Sequence, residues 1–234
     1  MQITDWIVLF IICAGITFSL RFRKLTVAGA LTGACLAGLL YKGAGIGGIV
    51  MLAAFFIAGS AATAFGHSRK ERLGIAEGQR TAWQVLANGG VAGMAGLLSW
   101  LHPEQAVLWQ LAAAASLASA SADTLSSELG SIYGKSFYNI LTFKKDTCGL
   151  DGVVSLEGTL WGIAGSALIA ILYIAFYGYS TLAYWILLAG FTGNIADSIL
   201  GASLERKGWL QNDAVNLLNT LVAAGVGVLG YWLY

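Results

Sequence analysis

Eight apolar runs, at residues 3–20, 25–41, 49–66, 81–101, 106–122, 153–176, 182–204 and 214–234, take up most of this chain. A hydrocarbon layer of about 30 Å is crossed by ~20 apolar residues of helix, and a backbone inside it must satisfy its own polar groups. The runs therefore predict an all-α polytopic membrane protein with eight transmembrane helices, folded as a single transmembrane domain over residues 1–234. Hydrophobic residues make up 57% of the chain, charged residues 11%, and mean hydropathy is +0.73, which only a bilayer can solvate. The single proline favours unbroken helices, and 31 glycines suit the close backbone approach by which helices pack in lipid.

Charge placement orients the chain. Residues 1–20 lack a basic leader, and Arg21, Arg23 and Lys24 follow the first apolar run, which is the reverse of a cleavable signal. With both termini outside, Arg21, Arg23, Lys24, Arg69, Lys70, Arg72, Arg80, Lys135, Lys144, Lys145, Arg206 and Lys207 fall on the cytoplasmic side, and only Lys42 falls outside. The expected location is an integral membrane protein, in a bacterium the inner membrane, with its polar chemistry facing the cytoplasm. A net charge of +1 gives no reason to expect nucleic acid as a partner. Cys13, Cys35 and Cys148 show neither a redox nor a metal-ligand spacing.

Acidic and amide residues recur near the cytoplasmic ends of the runs, in Ala122–Glu128, Asn194–Ser198 and Asn212–Asn219. A carboxylate in the middle of a spanning helix costs roughly 2.5–3.5 kcal/mol on insertion scales, so a set of them marks a site. Arg80, Gln84 and Asn88 repeat at i, i+4, i+8 at the start of the fourth run, and Ser116, Ser119, Asp123 and Ser127 stripe the fifth. Ala122-Asp123-Thr124 recurs as Ala196-Asp197-Ser198, and Asp151–Leu160 can be laid over Asn212–Leu221, so a helix-hairpin repeat is expected.

Carboxylates, amides, basic loops and helix starts at one depth suit a metal-bound polyphosphate. Magnesium takes one or two carboxylates plus phosphate oxygens, while cations and helix-start amides hold the remaining charge. No Walker-type sequence is present, so a nucleotide would not be held by a P-loop. Lys144 and Lys145 lie in the longest polar connection, expected over 124–152, with room to cover a nucleotide.

Five ordered motifs, Arg80–Gly89, Ala122–Gly130, Asp151–Thr159, Ala196–Ala202 and Asn212–Asn216, resemble those of the phytyl-phosphate kinase family, long known as integral membrane proteins of unknown function. The likeness runs from about residue 60 onward, making 59–234 the core and 1–58 added N-terminal helices. The activity of the plant members is phosphorylation of phytyl monophosphate to the diphosphate by a nucleoside triphosphate. The chain departs from the family pattern over Asn139–Gly149 and at Val153.

Together, resemblance and charge imply a membrane-embedded kinase acting on an isoprenyl monophosphate in the bilayer. Asp123, Asp197, Asp213 and Arg80 are the expected catalytic residues, and Asp123, Glu128, Asp197 and Asp213 the expected ligands of Mg²⁺ (or Mn²⁺). Lys144, Lys145, Asn88, Asn212, Asn216, Asp151 and Ser155 are the expected nucleotide and phosphate contacts. The lipid tail would lie between helices. Two other readings use the same residues: another nucleotide-dependent lipid enzyme (a prenyl-alcohol kinase or a cytidylyltransferase), and a cation or small-metabolite transporter, which an outer half nearly devoid of polar side chains disfavours. In the plainest reading the aspartates and asparagines only tie helices together and the lysines only set topology.

Overall fold

A computed structural model describes residues 3–234. The helices are α1 (Ile3–Arg21), α2 (Val27–Ala64), α3 (His67–Leu73), α4 (Ala82–Leu101), α5 (Ala106–Tyr133), α6 (Leu156–Tyr177), α7 (Leu182–Leu200) and α8 (Asn212–Leu233). A π-helical turn, Gly201–Glu205, continues α7, and a two-stranded antiparallel ribbon pairs β1 (Tyr138–Asn139) with β2 (Val153–Val154).

The expected runs 25–41 and 49–66 are the two limbs of α2. The chain reverses at Gly45, whose φ of 62° and ψ of −152° suit only glycine. Beyond the turn, a Cβ on Gly48 would lie 2.9 Å from the Leu40 carbonyl oxygen, an approach that an unbroken helix forbids. Both limbs return to one place: Gly29 abuts the Arg80 backbone, and Gly59 abuts the Arg80 guanidinium. The reversal frees carbonyls that water cannot reach, and side chains take them up. Ser99 Oγ and Gln110 Nε2 donate to Gly43 O at 2.6 and 2.9 Å, and Tyr177 Oη donates to Ala44 O at 2.6 Å. The eight passes are thus α1, the two limbs of α2, α4, α5, α6, α7 and α8.

By length and composition, five of the described helices are apolar enough to cross a membrane: α1, α2, α6, α7 with its π turn, and α8. Of the other three, α3 has only seven residues, α4 is less apolar, and α5 has a physical reason in its packing. α5 contacts α2, α4, α6, α7 and α8, and its residues from Leu111 to Ala122 are all buried, so protein and not lipid solvates its serines. Small side chains make this possible. Gly165 meets the Ser121 backbone, Gly190 meets Ser166 and Ala118, Gly193 meets Ser119, and Gly227 meets Ala115.

Among the boundaries that differ from expectation, two shape the site. α5 continues to Tyr133, so Asp123–Glu128 is helical and the polar connection shortens to 134–155. Ser126, Ser127, Glu128 and Ser131 lower the hydropathy there, but they face protein and the cavity described below, which leaves the helix intact. α4 starts at Ala82, because Thr81 and Gln84 form a reciprocal cap: Thr81 N–H donates to Gln84 Oε1 at 2.8 Å, and Gln84 N–H to Thr81 Oγ1 at 3.3 Å. Arg80 therefore precedes the helix, in extended backbone paired with the α1–α2 connection through Arg80 N–H to Lys24 O and Thr26 N–H to Arg80 O, each 3.0 Å.

The basic connections share one end of the bundle. Arg80 joins the α1–α2 connection, Lys70 reaches α5, and Arg206 reaches the α5–α6 loop. The opposite end carries the Gly45 reversal, the Tyr41 Oη to Asp5 bond of 2.8 Å, and Gly230 of α8 against Trp185 of α7.

Candidate functional site

At the basic end lies a polar cavity of about 400 Å³, walled by the Arg80–Asn88 segment, the C-terminal turns of α5 and α7, the start of α8 and the loop 148–155. Its floor holds Asp123 of α5 and Asp197 of α7, whose carboxyl groups are close enough to interact directly. The two copies of the Ala-Asp-Ser/Thr motif thus meet. Asn219 Nδ2 donates to Asp197 Oδ1 at 2.7 Å, and Ser119 Oγ donates to Asn219 Oδ1 at 3.0 Å; Asn219 and Ser119 are both fully buried. One Asp197 oxygen is thereby oriented by a relay from α8 and α5.

Arg80 supplies positive charge at the wall. Its side chain is 15% exposed, its guanidinium lies 6.0 Å from the Phe55 ring centroid, and Nε stands 4.0 Å from Glu77 Oε2. Gly59 lies against that guanidinium, whose terminal nitrogens a Cβ there would meet at 3.5 Å. Asn88 donates to Gln84 O at 3.0 Å, and its buried Oδ1 has no protein partner. At the start of α8, Gln211 provides no side-chain cap, so first-turn amides sit beside Asn212 and Asn216 at the cavity wall, an arrangement suited to an anion.

Of the expected site residues, the cavity gathers Arg80, Asn88, Asp123, Glu128, Asp151, Ser155, Asp197, Asn212 and Asn216. It does not gather Lys144, Lys145 or Asp213. Lys144 and Lys145 are exposed on the ribbon, where the Lys144 carbonyl accepts from Asn139 N–H at 2.9 Å and Lys145 bridges Tyr138. Asp213 is half-buried in the first turn of α8, off the lining. Ser155 spends its hydroxyl capping α6, accepting from Gly158 N–H at 3.0 Å. Glu128 is only partly available. Lys70 donates to its Oε2 at 2.5 Å and to Ala62 O at 2.7 Å, while Glu128 Oε1 is buried without a partner.

Lys70, Glu77 and Glu205 are the residues sequence reasoning missed. Lys70, 1% exposed, reads in the sequence as one topology cation among twelve, and nothing local marks it as buried. Glu77 and Glu205 line the cavity from segments outside the motifs. Desolvation at the rim pushes the Glu77 carboxyl up, with Arg80 opposing.

The loop is latched over this end. Arg206 donates from Nε to the Asp151 carbonyl at 2.6 Å and from a terminal guanidinium nitrogen to Asp146 Oδ2 at 2.9 Å. Gly152, at φ +69°, rests against Ala202 and the Ser198 carbonyl, where a side chain would collide. Among the described residues no group of three or more His, Cys, Asp or Glu side chains is placed to hold a metal by protein ligands alone. The donor set at the floor is a carboxylate pair.

The family model described as integral membrane protein DUF92 matches residues 10–224. The chain is similar to an uncharacterized membrane protein of Methanocaldococcus jannaschii, at 32% identity over 95% of this chain and 92% of the relative. It is similar to an uncharacterized membrane protein of Synechocystis at 34% identity, over 81% of this chain and 76% of the relative. Protein VTE6, chloroplastic, of Arabidopsis thaliana is 34% identical over 88% of this chain and 65% of its own length. No solved structure matches the chain.

Proposed function

The chain belongs to the DUF92 family of integral membrane proteins, and from that membership we propose that it is a membrane-embedded kinase transferring a phosphate from a nucleoside triphosphate to an isoprenyl monophosphate at the cytoplasmic face. The observation that carries the reading is the Asp123–Asp197 pair at the floor of a cavity with Arg80 in its wall. Two facing carboxylates in a low-dielectric site either share a proton or take a cation between them, and the second case suits a metal-bound phosphate. The likeness of the five motifs to the phytyl-phosphate kinases supports an isoprenyl monophosphate as the acceptor.

A pair of carboxylates fits Mg²⁺ (or Mn²⁺), which binds through one or two carboxylates and completes its shell with substrate phosphates and water. Asp123 and Asp197 would hold it, while Glu128, committed to Lys70, stays outside the set. Bound there, the ion would supply charge neutralisation for the donor phosphates. Arg80 and the uncapped start of α8, with Asn212 and Asn216, hold phosphate oxygens. Asn219 keeps the Asp197 carboxylate turned inward.

The acceptor oxygen is already ionised, so the site needs no strong general base. It attacks the terminal phosphorus of the donor, forming one P–O bond as the bond to the leaving nucleoside diphosphate breaks. Catalysis is then positioning and charge stabilisation. The test is transfer of label from nucleoside triphosphates to a panel of prenyl monophosphates and prenyl alcohols by purified protein with Mg²⁺, with product identification. Prenyl diphosphate formation that is lost in Asp123→Asn is the expected result; a cytidylylated product, or no transfer to any lipid, overturns it.

A further inference from the structure

A second cavity, about 160 Å³ and almost wholly apolar, lies between α1, both limbs of α2 and the start of α4. It meets the polar cavity at shared residues: Arg80, Gln84 and Asn88 line both. Resting on the kinase reading above, we infer that this cleft seats the hydrocarbon chain of the prenyl acceptor, with the acceptor phosphate held at the junction by Arg80.

Three observations carry this. First, among the described residues Arg80 is the one charged residue lining the apolar cleft, and it stands where the cleft opens into the polar cavity. That is the charge pattern of a molecule with an anionic head and an apolar tail.

Second, two of the three glycines lining the cleft differ from those of the other helix seams, while the third, Gly89, is a contact glycine whose Cβ would stand 2.9 Å from a Leu36 methyl. A Cβ on Gly43 would strike the Gly96 backbone, one on Gly190 would strike Ser166, and one on Gly230 would strike the Trp185 ring, so those glycines permit contact. A Cβ on Gly15 of α1 would meet nothing within 4 Å, and one on Gly33 of α2 would meet only Val85, at 4.0 Å. These two glycines, both in the cleft lining, keep space between helices instead of closing it.

Third, α1 adds little to the core. Its main helix partner is α2, and only Val8 and Ser19 of its residues are buried. Nevertheless its Ile11–Ser19 face completes the cleft wall. The N-terminal helices thereby share substrate recognition with the Arg80–Gly89 motif.

The test uses full-length protein in nanodiscs and a prenyl monophosphate carrying a diazirine on its tail. Expected labelling falls in Ile11–Ser19 and Ala30–Ala37, and excess unlabelled prenyl monophosphate competes it away. Gly33→Leu, which fills the cleft, lowers labelling by roughly tenfold or more, the size of effect that misfit hydrocarbon produces in an apolar pocket. Gly38→Leu, on the same helix with open space at its Cβ but off the lining, leaves labelling unchanged. Competed labelling confined to other helices, or cleft labelling that no prenyl phosphate displaces and that reports only bulk lipid, overturns the assignment. Competed cleft labelling without phosphate transfer would retain the tail site and remove the kinase reading. Transfer with labelling elsewhere would do the reverse.

Discussion

Asn219 donates its side-chain amide to Asp197 at 2.7 Å from within a fully buried position on α8, so the orientation of an α7 carboxylate is set by a neighbouring helix. Partners of this kind, one layer behind a metal-binding carboxylate, are typically worth about 10–100-fold in affinity or activity. Asn219→Leu should therefore lower kcat by about that factor and raise the Mg²⁺ concentration needed for half-maximal rate. A normal Mg²⁺ dependence would show that Asn219 serves packing alone. Asp197→Asn should cost more, roughly 10²–10³-fold in kcat, with the unfolding temperature largely retained.

Lys70 and Glu128 form a buried ion pair, and Lys70 also closes the end of α2 through Ala62 O and Thr63 O, at 2.7 and 3.3 Å. Removing one partner strands the other charge, a loss of about 3–5 kcal/mol in buried pairs. Lys70→Met should markedly lower the unfolding temperature in detergent, and adding Glu128→Gln should restore part of it. A single variant that unfolds like wild type would refute the assignment.

Arg206 ties the α5–α6 loop to the end of α7 through Asp151 and Asp146. Arg206→Ala should leave helical circular dichroism unchanged, speed proteolysis within 134–155, and lower kcat/KM for the nucleotide. The Thr147 backbone amide and Arg206 hold the Asp146 carboxyl below its ordinary value. This contribution is present above the unfolded-state pKa and is lost as pH falls through the folded one, so the loop should become protease-sensitive in acid.

Glu77 behaves in the opposite sense. Desolvation raises its carboxyl above the ordinary 4.5, so folding shifts its titration toward the neutral form relative to the unfolded chain. The associated stability is complete below 4.5 and declines as pH rises through the folded-state value. Glu77→Gln should flatten that decline in a series of unfolding temperatures from acid to neutral pH. An unchanged slope would exclude Glu77 as its source.

The cleft beside α1 gives the N-terminal helices a separate readout from the core. Deleting α1 should impair capture of a prenyl chain more than binding of nucleotide, since among the described residues none from α1 lines the polar cavity. Competition with a nucleotide analogue on the truncated protein checks this, provided the truncated form retains its helical content.

Local composition determined most of the architecture. The spans follow from apolar runs, because lipid demands unbroken helices of a set length, and the gathering of basic connections at one end follows from their alternation with those spans. Asp123 and Asp197 were legible for the same reason, since a carboxylate in an apolar helix stands out against its neighbours. What the tertiary structure alone decided is which polar groups are already spent. Lys70 looks like any loop cation until α5 brings Glu128 to it, and Ser155 looks free until α6 uses it as a cap. Lys144 and Lys145 look poised over a nucleotide until the ribbon holds them on the surface. The cleft at Gly15 and Gly33 is invisible along the chain because a glycine that admits contact and one that preserves space are the same letter, and only the distance to the facing helix tells them apart.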